Sequence, residues 1–258
     1  MIYQDLVSNK KAGRKQFAVL IDPDNVQLAT IPKLVDLAHQ AGVDYFFVGG
    51  SLILNDHLDS CVHQLKRYSS IPVVLFPGST FQLSYAADAV LFLSLISGRN
   101  PELLIGKQVT AAPYLQQSQL EVLPTGYMLV DGGALTSVSY ISHTFPIPHN
   151  KTPIAVATAL AGTMLGLRLI YMDAGSGAQK PISNSMIKAV SQNVDVPLIV
   201  GGGIRTPETA YEKARAGADV IVVGNAIERD PALLLDLAHA IHSLPKRENE
   251  RLSMENES

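Results

Sequence analysis

The chain of 258 residues has no tryptophan and one cysteine, Cys61. A lone thiol cannot close an internal disulfide, so packing must hold the fold, and a cytoplasmic location is expected. Basic residues are not in excess: 20 Lys and Arg stand against 23 Asp and Glu, a formal net charge of −3. That balance provides no broad polyanion-binding face and argues against a nucleic-acid partner. No apolar run reaches the roughly 20 residues that span a bilayer. The longest candidate, "TALAGTMLGL", is stopped by Arg168. The N-terminal "MIYQDLVSNKKAGRKQ" carries basic residues with no apolar stretch behind them, so no secretory signal is expected.

What the chain does have is apolar material, 47% of its residues, arranged in short runs that end in Gly, Pro, Asp or Ser. Eight such runs follow one another: "FAVLIDPD", "DYFFVGGS", "IPVVLFPGS", "DAVLFLSLISG", "GYMLVDGG", "LRLIYMDAGSG", "VPLIVGGGI" and "DVIVVGNAI". They are continuously apolar rather than alternating, as parallel strands buried on both faces must be. Segments of helical spacing such as "QLATIPKLVDLAHQAG", "TPETAYEKARAGA" and "DPALLLDLAHAIHSL" lie between most of them. An open doubly wound sheet would alternate in the same way, but the count and the length favour a single (β/α)₈ TIM barrel. The barrel is expected over residues 1–245, with a polar tail, "KRENERLSMENES", over 246–258. One unit is irregular. "GSTFQLSYAA", between the third and fourth strands, is too short for a good crossover helix, so the outer helix there is expected to be shortened or replaced by a loop.

Barrel sites lie at the C-terminal ends of the strands, so the residues that close each run come under scrutiny. "GGGI" (Gly201 to Ile204) after the seventh strand and Gly224 with Asn225 after the eighth bring bare backbone N–H groups to the rim, the usual device for holding a phosphate. The simpler reading is tight turns that need positive φ. "AGSG" (Ala174 to Gly177) adjoins this cradle and offers Ser176 as a donor; the spacing of a nucleophile elbow is absent. Asp173 stands directly before it, either as a base facing a substrate hydroxyl or as a structural carboxylate. Asp22 and Ser51 close the first two strands and offer oxygens of the kind Mg²⁺ takes, with loop capping as the alternative. Asp131, after the fifth strand, is a further carboxylate. No lysine closes a strand, which disfavours a Schiff-base aldolase. His57, Cys61 and His63 fall together in "DHLDSCVH" but form an incomplete ligand set within a helix-like segment.

"LIDPD", "VGGS", "LPTGYMLVDGG", "PIP", "TALAG", "YMDAGSGA", "VGGGIRTPE" and "GADVIVVGN" occur in an order that resembles the geranylgeranylglyceryl phosphate synthase family, from about Phe17 to Glu228. The resemblance implies a TIM barrel with one outer helix replaced by a loop. It implies Mg²⁺-dependent transfer of a prenyl group from a polyprenyl diphosphate to the 3-hydroxyl of sn-glycerol 1-phosphate, in a homo-oligomer, dimer or hexamer. Carried onto this chain, it implies that Tyr171, Met172, Asp173, Ala174, Gly175, Ser176, Gly177, Gly202, Gly203, Gly224 and Asn225 hold the glycerol phosphate. Asp173 would act as the base with Tyr171 orienting the hydroxyl, and Asp22 and Ser51 would hold Mg²⁺. The apolar tail is expected near Phe81 and Tyr85. The chain departs from the family at three places. Leu20 stands where the heptaprenyl branch has lysine, which favours the geranylgeranyl branch; Asp173 replaces the usual glutamate; and Thr163 follows "TALAG" where glutamate is common. Two rival readings are a sugar-phosphate isomerase or cyclase of the histidine-biosynthesis barrel type, using Asp22 and Asp131, and an inactive phosphate-binding scaffold.

Overall fold

The structure is a computed structural model that describes residues 1–55 and 57–245. The tail expected over 246–258 lies outside the described residues. Helix α1 (Ile2–Ala12) precedes β1 (Gln16–Ile21), α2 (Ile31–Ala41), β2 (Tyr45–Val48), α3 (Leu58–Tyr68) and β3 (Val73–Leu75). Next come β4 (Ala89–Leu95), α4 (Lys107–Gln116), β5 (Glu121–Leu129), α5 (Ser137–Ser142), α6 (Thr152–Met164) and β6 (Leu169–Asp173). The chain continues through α7 (Asn184–Ser191), β7 (Leu198–Gly201), α8 (Pro207–Ala216), β8 (Val220–Val223), α9 (Asn225–Arg229) and α10 (Leu233–His242). The strands pair in parallel and in sequence order, and β1 closes on β8, making the expected TIM barrel.

The strands divide the core into two layers. In β6, Leu169 and Tyr171 belong to the cluster inside the barrel, and Ile170 and Met172 to the cluster under the helices. This is the period-two alternation of a strand buried on both faces. Local signals bound the helices: Thr206 caps α8 by accepting from the Thr209 N–H at 3.2 Å, Pro207 opens its first turn, and Gly42 ends α2 at φ 69°.

Two features go beyond a plain barrel. Helix α1, which the strand count did not reveal, seals the N-terminal end by burying Ile2 and Leu6 against the inner layer. The Glu121 carboxylate receives the Ile2 and Tyr3 amides at 2.6 and 3.0 Å, and Lys10 pairs with Asp219 at 2.9 Å. Between β3 and β4 there is no helix, as the short segment predicts. That connection is held instead by Gln82, which accepts from the Gly78 amide at 2.8 Å, and by Ser84, which donates to Asp59 at 2.6 Å. The barrel flank there is left open to a groove.

Candidate active site

A cavity of about 490 Å³ opens at the C-terminal ends of the strands. Its chemistry changes from one end to the other. Gly175, Ser176, Gly203 and Asn225 form one end, whereas Leu83, Val90, Phe92, Leu103 and Leu115 line the other. A single space can therefore take a small phosphorylated molecule and a long apolar one side by side.

The pleat of β6 decides which of its residues reach this space. Tyr171 and Asp173 share the inner face; Met172, fully buried under the helices, faces away. Asp173 is 8% exposed, and its two oxygens accept from the Tyr127 hydroxyl at 2.6 Å and the Gly175 amide at 2.7 Å. Burial raises the proton affinity of this carboxyl, and the two hydrogen bonds partly offset the rise. The result is a better proton acceptor than a solvated aspartate. Tyr127 and Tyr171 are shifted further upward by burial and by the Asp173 charge, so both hydroxyls remain donors. Tyr171 stacks on Phe76 at 5.1 Å and meets Tyr127 edge-on at 5.5 Å.

Glycine is required where the loops converge on Asp173. Gly202 has φ 81°, and a Cβ there would stand 2.6 Å from Asp173 Oδ1 and 2.7 Å from the Ala174 and Gly175 nitrogens. At Gly201 a Cβ would stand 2.8 Å from the Tyr171 hydroxyl. Ser176 Oγ and the Asn225 side-chain amide, 3.2 Å apart, tie the loop after β6 to the start of α9. The result is a concave rim of backbone amides and small polar groups, suited to a phosphate.

On the β1–β2 side, Asp22 and Ser51 both line the cavity. The Asp22 carboxylate accepts from the Asp24 amide at 3.0 Å and from Asn25 Nδ2 at 3.1 Å, and forms no ion pair among the described residues. Burial, and then the Asp24 charge, raise it, while the Asp24 amide lowers it. Glu228 is raised by burial and by the Asp22 charge, with the Asp22 backbone amide and the Arg229 charge acting in the opposite direction. The negative charge of Asp22 and Glu228, neither of them in an ion pair among the described residues, fits a divalent ion. Among the described residues no group of three or more His, Cys, Asp or Glu could enclose one. The donor set thus fits an ion such as Mg²⁺ that completes its shell with water and substrate oxygens.

The structure brings together Asp22, Ser51, Tyr171, Asp173, Gly175, Ser176, Gly177, Gly202, Gly203, Gly224 and Asn225. Met172 and Ala174 are not among the residues lining the cavity: alternation along β6 turns Met172 outward, and the Ala174 amide is spent on the Gly201 carbonyl at 3.2 Å. Phe81 and Tyr85 are 94% and 60% exposed and do not line the groove; Leu83, between them, does. Asp131 lines a separate pocket and accepts from the Gly133 amide at 2.9 Å. Thr163 lies in the last turn of α6, bonded to the Leu160 carbonyl at 2.8 Å, outside the cavity. Cys61 is buried on α3, where His63 pairs with Asp59 at 3.4 Å. Tyr127 and Lys107 are cavity residues the strand-end reading missed, because one lies within a strand and the other opens a helix.

A closed parallel barrel with a glycine-built anion cradle, a buried carboxylate and an apolar groove in one cavity defines a TIM-barrel enzyme for a phosphorylated substrate. The chain belongs to the PcrB family, whose sequence profile matches residues 10–242. It is 57% identical over 242 residues to the geranylgeranylglyceryl phosphate synthase of Chitinophaga pinensis, covering 94% of this chain and 96% of that one. Its identity to the enzyme of that name from Thermococcus gammatolerans is 43% over 224 residues, 86% of this chain and 88% of the relative. Among solved structures it is similar to (S)-3-O-geranylgeranylglyceryl phosphate synthase from Thermoplasma acidophilum in complex with sn-glycerol-1-phosphate. That likeness has a TM-score of 0.89 at 33% identity, over 95% of this chain and 99% of the other.

Proposed function

We propose that this chain transfers a geranylgeranyl group from its diphosphate to the 3-hydroxyl of sn-glycerol 1-phosphate, releasing diphosphate and an ether-lipid precursor. The observation that carries the reading is the position of Asp173, buried between the glycine cradle and the apolar groove. Strong identity to enzymes of that name across nearly the whole chain supports it.

In this mechanism Gly175, Ser176, Gly203 and Asn225 receive the phosphate and fix the glycerol, turning a bimolecular encounter into an oriented one. Tyr171 offers its hydroxyl to the acceptor alcohol. The allylic C–O bond breaks with its electron pair leaving on the diphosphate oxygen, and the glycerol oxygen forms the new C–O bond. Its proton passes to the Asp173 carboxylate, late in the reaction, when the ether oxygen has become acidic. Asp22 and Ser51 are proposed to hold Mg²⁺, which when bound would neutralise charge on the departing diphosphate. The wall of Leu83, Phe92, Leu103 and Leu115 excludes water from the prenyl chain.

A cytoplasmic location and a homo-oligomer belong to the same proposal. Exposed Ile154, Met164 and Leu165 at and beside α6, whose span has no charged residue, support the latter. The isomerase reading loses its second carboxylate, since Asp131 faces another pocket, and it leaves the apolar wall of Leu83, Val90, Phe92 and Leu103 without a role. The test is to incubate the protein with labelled sn-glycerol 1-phosphate, Mg²⁺ and prenyl diphosphates of several lengths, then extract lipid. Label in the lipid phase is expected, most with the geranylgeranyl donor; none with any donor would end the transferase reading.

A further inference from the structure

Lys107 is the first residue of α4, directly after a five-residue π-helical turn, Glu102–Gly106. Such turns are rare and often accompany functional sites. Lys107 lines the cavity, and its ammonium donates to the Gly78 carbonyl at 3.1 Å and forms no ion pair among the described residues. Gly78 in turn abuts the loop after β2: a Cβ there would stand 2.4 Å from the Gly50 carbonyl oxygen and 2.7 Å from that of Ser51. A Cβ on Gly50 would lie 3.5 Å from Asp22 Oδ2. These contacts carry the Lys107 charge to the same side of the cavity as Asp22 and Ser51.

The neighbouring residue fixes that placement. Gln108 is 8% exposed, and its Nε2 donates to the Leu93 carbonyl of β4 and, at 3.1 Å, to the Leu103 carbonyl of the π-turn. Its Oε1 is buried without a partner among the described residues. Turning the amide over would set an oxygen against two carbonyl oxygens, so this orientation is the one the site allows. Gln108 thus pins the turn to the barrel at the expense of one unmade hydrogen bond, and so fixes the backbone from which the Lys107 side chain reaches Gly78.

We propose that Lys107 binds the diphosphate of the prenyl donor, with Gln108 as its positioning residue. The inference rests on the transferase reading above and deepens it. The other cavity cations stand elsewhere: Arg205 follows the glycine turn after β7 and bonds the Ala178 carbonyl at 2.7 Å, and the Arg229 charge lowers the proton affinity of Glu228. When the allylic C–O bond breaks, the electron pair settles on a diphosphate oxygen, and an ammonium hydrogen bond to that oxygen strengthens as its charge grows. Lys107 keeps its protons throughout; the alcohol proton goes to Asp173.

Calorimetric titration with inorganic pyrophosphate and Mg²⁺ tests this without a prenyl donor. Lys107→Met and Lys107→Gln should each weaken pyrophosphate binding roughly 10–100-fold, the worth of one charge-assisted hydrogen bond. Lys107→Arg should restore part of it, and sn-glycerol 1-phosphate affinity should stay within about twofold. In turnover, kcat/KM for the donor should fall by a similar factor. Unchanged pyrophosphate affinity, no pyrophosphate binding by the wild type, or equal loss of both ligands in the variants would overturn the proposal. If the wild type binds pyrophosphate through Lys107 but transfers no prenyl group, the transferase reading fails while the binding site stands.

Discussion

Asp173 is held by one hydroxyl and one amide in a space that glycine alone leaves open. Its raised proton affinity has consequences of opposite sign for catalysis and stability. The carboxylate form is lost as pH falls through a value above the ordinary aspartate range, so turnover should decline there. Folding stability changes the other way: the folded state holds the proton more tightly than the unfolded chain, so this group's contribution is largest at low pH and is lost as pH rises through the raised value. Because the Tyr127 hydroxyl favours the charged form, Tyr127→Phe should move the acid limb of the kcat profile to higher pH and reduce kcat at neutral pH roughly tenfold. An unmoved limb would remove Tyr127 from the account. Gly202→Ala should be worse than a surface change. Its φ of 81° and the 2.6 Å approach to Asp173 add strain to collision, on the order of 1–3 kcal/mol for the backbone alone. Circular dichroism melting together with turnover measures both losses.

At the scale of elements, α1 makes a separable contribution. Glu121 receives two amides at its first turn, an arrangement that acts as an N-cap supplied from β5. Glu121→Ala should cost about 1–2 kcal/mol, as lost caps do. For a chain of this size that lowers the Tm by roughly 2–8 °C, with kcat unchanged, because α1 closes the end of the barrel away from the cavity. This helix is also where reading residues in order was weakest. "IYQDLVSNKKA" buries only Ile2 and Leu6, too few apolar positions to announce an amphipathic face. The eight strands were legible because each is a short apolar run ended by a turn residue, and α8 because Thr206, Pro207 and Gly217 punctuate it. What a pattern cannot supply is register. Tyr127 lies opposite Tyr171 in the β5–β6 ladder, and that pairing delivers its hydroxyl to Asp173. Nothing within "GYMLVDGG" distinguishes it from a core aromatic. Alternation along β6 likewise turns Met172 out of the site to which the family resemblance had assigned it.

In the whole molecule, a missing outer helix and a glycine rim combine to place an apolar groove beside an anion cradle. The described residues include no helix long and apolar enough to cross a membrane; in the proposed reaction the groove supplies apolar contact for the prenyl chain. Ligand binding should stabilise the barrel as a unit. At sn-glycerol 1-phosphate concentrations about 100-fold above its Kd, stability should rise by about 2.7 kcal/mol, which scanning calorimetry reads as an upward shift in Tm. No shift would remove the cradle as the acceptor site. The most direct measurement of all compares the wild type with Asp173→Asn in a lipid-extraction assay run beside calorimetric binding of sn-glycerol 1-phosphate. Loss of the base should lower turnover by about 10²–10⁴-fold while the acceptor still binds. Turnover equal to that of the wild type would contradict the role given to Asp173.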